Sequence, residues 1–181
     1  MNLPNLITIA RILLVPVVVW AIGQDAMLAA FLLFVAAGIS DAVDGFLAKR
    51  FGMTSELGAY LDPLADKALI MSIYVALGVT QAIPRWLVIL VVSRDIMIIG
   101  GVMLSWVLGK PIAVKPLLVS KLNTLAQIVF AGLVLASLGF GFSAGPVEPS
   151  LMGLVALLTL LSVGFYVVEW VRHMNGAGSS A

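Results

Sequence analysis

Four aspartates form two pairs within otherwise apolar stretches of the sequence. Asp41 and Asp44 are three residues apart, and Asp62 and Asp66 are four residues apart. On a helix, either spacing projects both members of a pair from one face. A short loop joins the two stretches, so the pairs sit at similar depth, and four facing carboxylates need a cation to stay ionised. Hard oxygen ligands suit Mg²⁺, Mn²⁺ or Ca²⁺, so the pattern predicts a divalent metal site.

The composition indicates which elements hold these carboxylates. Of the 181 residues, 62% are hydrophobic and 10% are charged, whereas a soluble domain has about 25% charged residues. The net charge of +1 and the lack of any Lys/Arg run exclude nucleic acid as a partner. The absence of cysteine excludes disulfides and thiolate metal sites. The chain is therefore predicted to be a polytopic membrane protein.

The length of the apolar runs predicts the fold, because a helix that crosses a bilayer needs about 20 residues. We expect an all-α integral membrane protein with six transmembrane helices, forming a single domain over residues 1–181. The predicted spans are 4–23, 27–46, 59–79, 84–108, 117–139 and 150–171. The first span also has the pattern of a signal peptide, which is the alternative for that segment.

The basic residues predict the orientation of these spans. With six spans, one side of the membrane receives Lys49, Arg50, Lys110, Lys115 and Arg172. The other side receives Arg85 alone, so both termini are predicted to be cytoplasmic. The four aspartates then lie near the cytoplasmic side, which favours a surface-accessible active site.

Three other interpretations of the aspartates are open at this point. They could cap helices or pair with Lys49, Arg50 and Lys67. They could mark an ion pathway, since carboxylates within the membrane also occur in pumps and transporters. Such a pathway would spread its acids across the bilayer, whereas these lie on one side. A non-catalytic scaffold is the third interpretation, and it gives no reason to keep four acids at these spacings.

The acids belong to a longer pattern that resembles a known family signature. Asp41, Asp44, Gly45, Ala48, Lys49, Gly58, Asp62 and Asp66 follow the order and spacing D-x2-D-G-x2-A-R-x8-G-x3-D-x3-D. This is the signature of the CDP-alcohol phosphatidyltransferases. The one departure is Lys49, where the family has arginine, and Arg50 follows directly. The family also has six spans, so the resemblance extends over nearly the whole chain.

The resemblance implies a role for each matching position. The metal ligands would be Asp41, Asp44, Asp62 and Asp66, holding Mg²⁺ or Mn²⁺, with two ions expected. Asp66 would also be the base that accepts the proton of the incoming alcohol. The CDP-binding residues would be Gly45, Ala48, Lys49, Arg50 and Gly58. Helix packing is the alternative role of the small residues among them.

The outer motifs concern the alcohol that accepts the phosphatidyl group. The start of the chain, with Asn5 and Arg11, is similar to that of phosphatidylglycerophosphate synthases and CMP-forming cardiolipin synthases. In glycerophosphate-using members a second arginine follows the one that corresponds to Arg94, and this chain has no basic residue there. Lys115 and Lys121 lie in segments that are similar to those of the cardiolipin synthases. The expected acceptor-binding residues are Asn5, Arg11, Arg94, Lys115 and Lys121. As alternatives, Asn5 could cap its helix, Arg11 could reach the headgroups, and Arg94 could pair with Asp95.

The resemblance therefore implies transfer of a phosphatidyl group from CDP-diacylglycerol to phosphatidylglycerol, giving cardiolipin and CMP. Glycerol 3-phosphate is the alternative acceptor. The implied partners are these lipids, the bilayer and a second copy of the chain in a homodimer. The implied location is the bacterial inner membrane, with the active site on the cytoplasmic side.

Overall fold

The computed structural model describes the backbone of residues 3–51, 56–107 and 118–176. Side chains are described for residues 8–43, 67–100, 118–168 and 170–172. The described residues form six helices and no strand. They are α1 (Leu3–Gly23), α2 (Met27–Phe51), α3 (Glu56–Val79), α4 (Arg85–Val107), α5 (Leu118–Phe140) and α6 (Val147–Gly176).

Each predicted span coincides with one of these helices, so the prediction of an all-helical fold is confirmed for the described residues. The largest differences are at polar ends. Helix α2 continues to Phe51 instead of residue 46, and α6 runs over Val147–Gly176 instead of 150–171. The prediction followed apolar character, whereas backbone hydrogen bonding continues into polar residues beyond an apolar run.

The links from α1 to α2 and from α3 to α4 are tight turns of one type. Asp25 and Gln81 adopt positive φ angles of 59° and 62°. The amide of Ala26 donates to the carbonyl of Ala21, and the amide of Ala82 donates to the carbonyl of Leu77, each at 2.9 Å. A left-handed residue with this six-to-one hydrogen bond is the Schellman ending of a helix. Both links therefore end one helix and turn the chain within a few residues.

The chain divides into two compact units, and the division falls within α5. One unit comprises Met1–Pro84 and Ala131–Gly145, and the other comprises Arg85–Phe130 and Pro146–Ala181. The sequence pattern gave no sign of this division. The expectation of a single domain over the whole chain stays a prediction.

In the first unit, α1 packs against both α2 and α3. Val18 and Ile22 on α1 are fully buried, as are Ile73, Tyr74 and Leu77 on α3. On each helix the spacings of three and four residues place these side chains on one face. The apolar core of this unit therefore follows the helical period.

The end of α5 approaches the start of α2 so closely that their backbones are in contact. A Cβ atom added to Gly139 would lie 2.8 Å from the Cα of Leu28. The rings of Phe31 and Phe140 meet edge to face beside this point, with centroids 5.6 Å apart. Glycine is thus required at this helix crossing because any side chain would collide with backbone.

In the second unit, α4 packs against α6. Leu87 and Val91 on α4 and Val155 on α6 are fully buried. Further along the same faces the buried side chains become polar: Arg94 on α4 is 1% exposed, and Ser162 on α6 is fully buried. This unit therefore combines an apolar core with a buried polar cluster.

Large apolar side chains are also exposed on the helices, including Leu157, Leu160 and Phe165 on α6. Within the described residues, Leu118–Phe140 and Val147–Arg172 are long and apolar enough to cross a membrane. Shorter apolar segments occupy parts of α1, α2 and α3. Extended exposed apolar surface of this kind is typical of contact with lipid or with another protein.

Candidate active site

The structure brings two predicted site residues together. Arg11 on α1 lies with its Nη1 atom 2.7 Å from Oδ1 of Asp41 on α2. The arginine side chain is 1% exposed and the aspartate side chain is 45% exposed. A buried guanidinium needs a partner to offset the cost of its desolvation, and Asp41 provides one. Arg11 was expected near the acceptor and Asp41 at the metal, so this contact links the two predicted groups.

This partner of Asp41 was not among the pairings considered from the sequence, which were Lys49, Arg50 and Lys67. A signal for it does exist. Arg11 lies 14 residues before Asp25 and Asp41 lies 16 residues after it. In two antiparallel helices joined by a tight turn, such positions are at nearly the same height. The α1–α2 turn therefore predicts the contact once its position is known.

The chemistry of Asp41 fits a divalent cation. The ion pair uses Oδ1, and a carboxylate offers two oxygens with about four acceptor positions. Nearly half of this side chain is exposed. The described side chains include no group of three His, Cys, Asp or Glu residues that could hold a metal ion, and Asp41 is the one predicted ligand among them.

The other predicted residues of the catalytic motif lie on helices, but their side chains are outside the described part of the structure. Asp44 is on α2, and Asp62 and Asp66 are on α3. The prediction that each pair of aspartates shares one helix face requires a helix at these positions. The backbone there is helical, which confirms that requirement. The predicted CDP-binding and N-terminal residues on α1, α2 and α3 also lie on helices, with side chains outside the described part of the structure. They are Asn5, Gly45, Ala48, Lys49, Arg50 and Gly58. Lys115 lies outside the described residues altogether.

The second unit contains a buried cluster centred on Arg94. Its Nε and Nη2 atoms donate to Oγ of Ser162 on α6, at 3.1 Å and 2.9 Å. Nη2 also donates to Oγ of Ser120 on α5, and Nη1 pairs with Oδ1 of Asp95. The ring of Tyr166 lies 6.0 Å from the guanidinium carbon, at the outer range of a cation–π contact. Arg94 therefore contacts three helices of this unit through its side chain.

A second polar contact lies one helical turn away from this cluster. The Thr159 hydroxyl on α6 has two acceptors for its single proton, Oδ1 of Asn123 on α5 at 2.9 Å and the carbonyl oxygen of Val155 on α6 at 2.7 Å. The side chains of Thr159 and Asn123 are both fully buried. Lys121 lies between Ser120 and Asn123 on α5 and is exposed. Lys121 is thus a predicted acceptor residue that the structure presents at the surface, whereas Arg94 is enclosed.

The Arg94–Asp95 pair was one of the alternatives predicted from the sequence, whereas the residues of α6 were not predicted. Thr159, Ser162 and Tyr166 follow one another at spacings of three and four residues within an apolar helix. Polar residues in that rhythm on an apolar helix indicate a face turned toward other polar groups. The spacing of these three polar residues could therefore have predicted that this face of α6 contacts other polar groups.

The family resemblance of the aspartate motif agrees with what comparison with known proteins finds. A model of the CDP-alcohol phosphatidyltransferase family matches residues 1–168. A CDP-diacylglycerol–glycerol-3-phosphate 3-phosphatidyltransferase 1 (chloroplastic) of Oryza sativa subsp. japonica is 37% identical over 158 residues, covering 78% of this chain and 48% of the relative. The cardiolipin synthase (CMP-forming) of Homo sapiens is 33% identical over 158 residues, covering 78% and 52%.

A third relative matches over more of its length. The probable phosphatidylglycerophosphate synthase of Mycobacterium tuberculosis is 31% identical over 189 residues, covering 99% of this chain and 87% of the relative. The chain thus spans about half the length of the rice and human relatives and most of the mycobacterial one. The family match over residues 1–168, which include the aspartate motif on α2 and α3, shows that this chain belongs to the CDP-alcohol phosphatidyltransferase family.

Proposed function

We propose that this chain is a CMP-forming cardiolipin synthase, which transfers a phosphatidyl group from CDP-diacylglycerol to phosphatidylglycerol. The family is membrane-bound and generally depends on a divalent cation. The observation that carries the choice of acceptor is the enclosure of Arg94. Four of its contacts go to Asp95, Ser120 and Ser162 within the protein. Arg94 itself therefore presents little positive charge to an acceptor.

The enclosure of Arg94 bears on the choice of acceptor because the two candidate acceptors carry different charges. A phosphomonoester such as glycerol 3-phosphate carries up to two negative charges near pH 7, and it favours several charge-assisted donors. The phosphodiester of phosphatidylglycerol carries one charge. With Arg94 enclosed, the exposed Lys121, together with Lys115, would supply the positive charge. That supply suits a monoanionic acceptor better than a dianionic one.

The proposed reaction is displacement at the phosphorus that bears diacylglycerol. Asp66 accepts the proton of the attacking hydroxyl of phosphatidylglycerol, the new phosphate ester bond forms, and CMP leaves. Asp41, Asp44, Asp62 and Asp66 would hold Mg²⁺ or Mn²⁺, with two ions expected. The chemistry supplied by the bound cations is neutralisation of negative charge on the pyrophosphate and on departing CMP.

The remaining motif residues would bind the substrates. Gly45, Ala48 and Gly58 lack bulk, which allows the nucleotide to approach the helix backbone. Lys49 and Arg50 would hold the CDP phosphates. Because a guanidinium binds phosphate through two parallel hydrogen bonds and an ammonium does not, Arg50 is expected to take the larger share.

Arg11 and Asn5 on α1 complete the proposed site. The Arg11–Asp41 ion pair would keep α1 against the catalytic face of α2. Arg11 also brings positive charge next to a carboxylate assigned to the metal, which favours anionic substrates nearby. Asn5 would lie on the acceptor side of the same helix.

The same proposal covers the setting of the enzyme. Six helices would cross the bacterial inner membrane as one domain, with both termini and the active site on the cytoplasmic side. The excess of basic residues on that side supports this orientation. A homodimer is expected from the family resemblance.

A phosphatidylglycerophosphate synthase is the second candidate, and one observation favours it. The mycobacterial relative of that name is matched over 87% of its length, whereas the human cardiolipin synthase is matched over 52%. In that case glycerol 3-phosphate would replace phosphatidylglycerol as acceptor. The family motif and the metal site would be unchanged.

The deciding experiment offers the purified protein labelled CDP-diacylglycerol in liposomes with each acceptor separately. We expect phosphatidylglycerol to yield cardiolipin and CMP, and glycerol 3-phosphate to be a poor acceptor. Efficient formation of phosphatidylglycerophosphate would overturn the cardiolipin synthase proposal in favour of the second candidate. Asp44→Asn serves as the inactive control, and Asp25→Asn is its matched partner, since Asp25 is an exposed carboxylate in the α1–α2 turn.

A further inference from the structure

Most of the N–H donors of Arg94 already have hydrogen-bond partners inside the protein. A guanidinium has five N–H donors. The one on Nε goes to Ser162, the two on Nη2 go to Ser162 and Ser120, and one on Nη1 goes to Asp95. The side chain is 1% exposed. To bind a phosphate bidentately, Arg94 would have to give up partners it already has, so its direct role in acceptor binding is small.

These contacts instead connect three helices. Ser162 on α6 accepts two hydrogen bonds from one guanidinium on α4, and Ser120 on α5 accepts a third. We call Arg94, Ser120 and Ser162 the arginine clasp. Hydrogen bonds from a charged donor in a buried setting are stronger than neutral ones. The clasp therefore resists separation of the three helices at this level.

The clasp and the Thr159–Asn123 hydrogen bond together set the register of α5 against α6. Moving three residues forward on α5, from Ser120 to Asn123, corresponds to moving three residues back on α6, from Ser162 to Thr159. This is the register of two antiparallel helices. One part-buried contact at Ser120 and one buried contact at Asn123, one turn apart, oppose sliding or rotation of α5 along α6.

Lys121 lies between these two contacts and is exposed. Ser120 directly precedes Lys121 on α5 (Leu118–Phe140). The hydrogen bond from Arg94 to Ser120 therefore fixes the helix at the residue next to Lys121.

We propose that the arginine clasp is a positioning device for Lys121. Ser162 orients Arg94, Arg94 holds α5 at Ser120, and Lys121 is thereby placed to bind the phosphodiester of the acceptor lipid. This inference rests on the proposed function, because it assigns Lys121 to the acceptor. Ser120 and Ser162 are thus positioning residues that act on acceptor affinity and not on the chemical step.

The test compares steady-state kinetics of the unmodified protein and of Ser162→Ala in liposomes. One series varies phosphatidylglycerol at saturating CDP-diacylglycerol, and the other varies CDP-diacylglycerol. We expect Ser162→Ala to raise the KM for phosphatidylglycerol about tenfold, with kcat and the KM for CDP-diacylglycerol within about twofold of the original. Ser162→Thr keeps the hydroxyl and should restore the acceptor KM. Equal shifts in both KM values would overturn the proposal.

A double-variant comparison tests whether the effect passes through Lys121. Lys121→Gln alone should raise the acceptor KM, and adding Ser162→Ala should change it by less than about twofold more, because coupled residues are not additive. Full additivity would overturn the proposal. The matched control is Ser137→Ala, which removes a buried hydroxyl that donates to Val134 of its own helix. It should leave both KM values unchanged.

Ser120→Ala provides an independent test if Ser162→Ala does not fold. It removes the α5 end of the clasp at a part-buried position near the start of the helix. The same acceptor-specific rise in KM is expected, and an unchanged acceptor KM in Ser120→Ala would overturn the clasp. Failure of the proposed function has a different signature: the unmodified protein would release no CMP when phosphatidylglycerol is the acceptor.

Discussion

Breaking the Arg11–Asp41 ion pair is expected to reduce the free energy of unfolding by about 2 kcal/mol. The contact distance of 2.7 Å between Nη1 and Oδ1 corresponds to charge centres about 4 Å apart. At that separation two unit charges attract by about 1 kcal/mol in water and by about 4 kcal/mol at the dielectric constant typical near a protein surface. Arg11 is buried and Asp41 is 45% exposed, so the pair lies between these limits.

The measurement is a double-variant cycle of Arg11→Gln, Asp41→Asn and the combined variant. Reversible unfolding in mixed detergent micelles gives the free energy of each protein. The two single effects should together exceed the combined effect by about 2 kcal/mol, which is about a 30-fold change in the unfolding equilibrium. A coupling below about 0.5 kcal/mol would mean that the pair behaves like a solvent-exposed one, and the reasoning from burial would be wrong.

The same cycle separates the two roles assigned to Asp41. If Asp41 binds the metal, Asp41→Asn abolishes turnover and adding Arg11→Gln does not bring it back. Recovery of turnover in the combined variant would show that Asp41 serves only to neutralise Arg11, and the metal assignment would fail. Asp25→Asn, which removes an exposed carboxylate from the α1–α2 turn, should leave both stability and turnover unchanged.

Three further predictions follow from the site and the fold. Asp44→Asn and Asp62→Asn should each abolish turnover in a protein that still inserts into the membrane. EDTA should also abolish turnover of the unmodified enzyme. Persistent activity in EDTA would refute the metal site. Asp66→Asn should lose transfer yet keep CDP-diacylglycerol binding in an equilibrium assay, and loss of binding would make Asp66 primarily a ligand. Gly139→Ala should destabilise the protein by about 1–3 kcal/mol, because its Cβ would lie 2.8 Å from backbone, some 0.6 Å inside ordinary contact. Gly164→Ala, with open space around it, should be neutral or stabilising by up to about 1 kcal/mol in the same unfolding assay.

The positions of the helices could be predicted because they depend on local properties of the chain. Apolar runs near the length of a bilayer crossing, separated by glycine, proline and polar residues, indicate where each helix begins and ends. The turns after α1 and α3 fall in the gaps between the predicted spans, 4–23 and 27–46 for the first and 59–79 and 84–108 for the second. Their left-handed residues are Asp25 and Gln81, although glycine is the usual residue there.

The helical setting of the aspartate motif could also be predicted, because spacing along a helix determines which side chains share a face; the catalytic role of the motif stays a prediction. Asp41 and Asp44 lie on α2, and Asp62 and Asp66 lie on α3, as the spacing required. Which groups approach these acids from other helices could not be obtained in the same way. The contact of Arg11 with Asp41 depends on how α1 packs against α2.

The sequence by itself determined the helical architecture, the helical setting of the aspartates and the family. These follow from hydropathy, helical period and motif spacing, all of which are local. Only the tertiary structure decided that Arg11 pairs with Asp41, that Arg94 is enclosed by Ser120 and Ser162, and that Gly139 touches the backbone of α2. The physical reason is that a buried polar group or a close helix crossing is defined by atoms far apart in the chain, whose distances are set by packing.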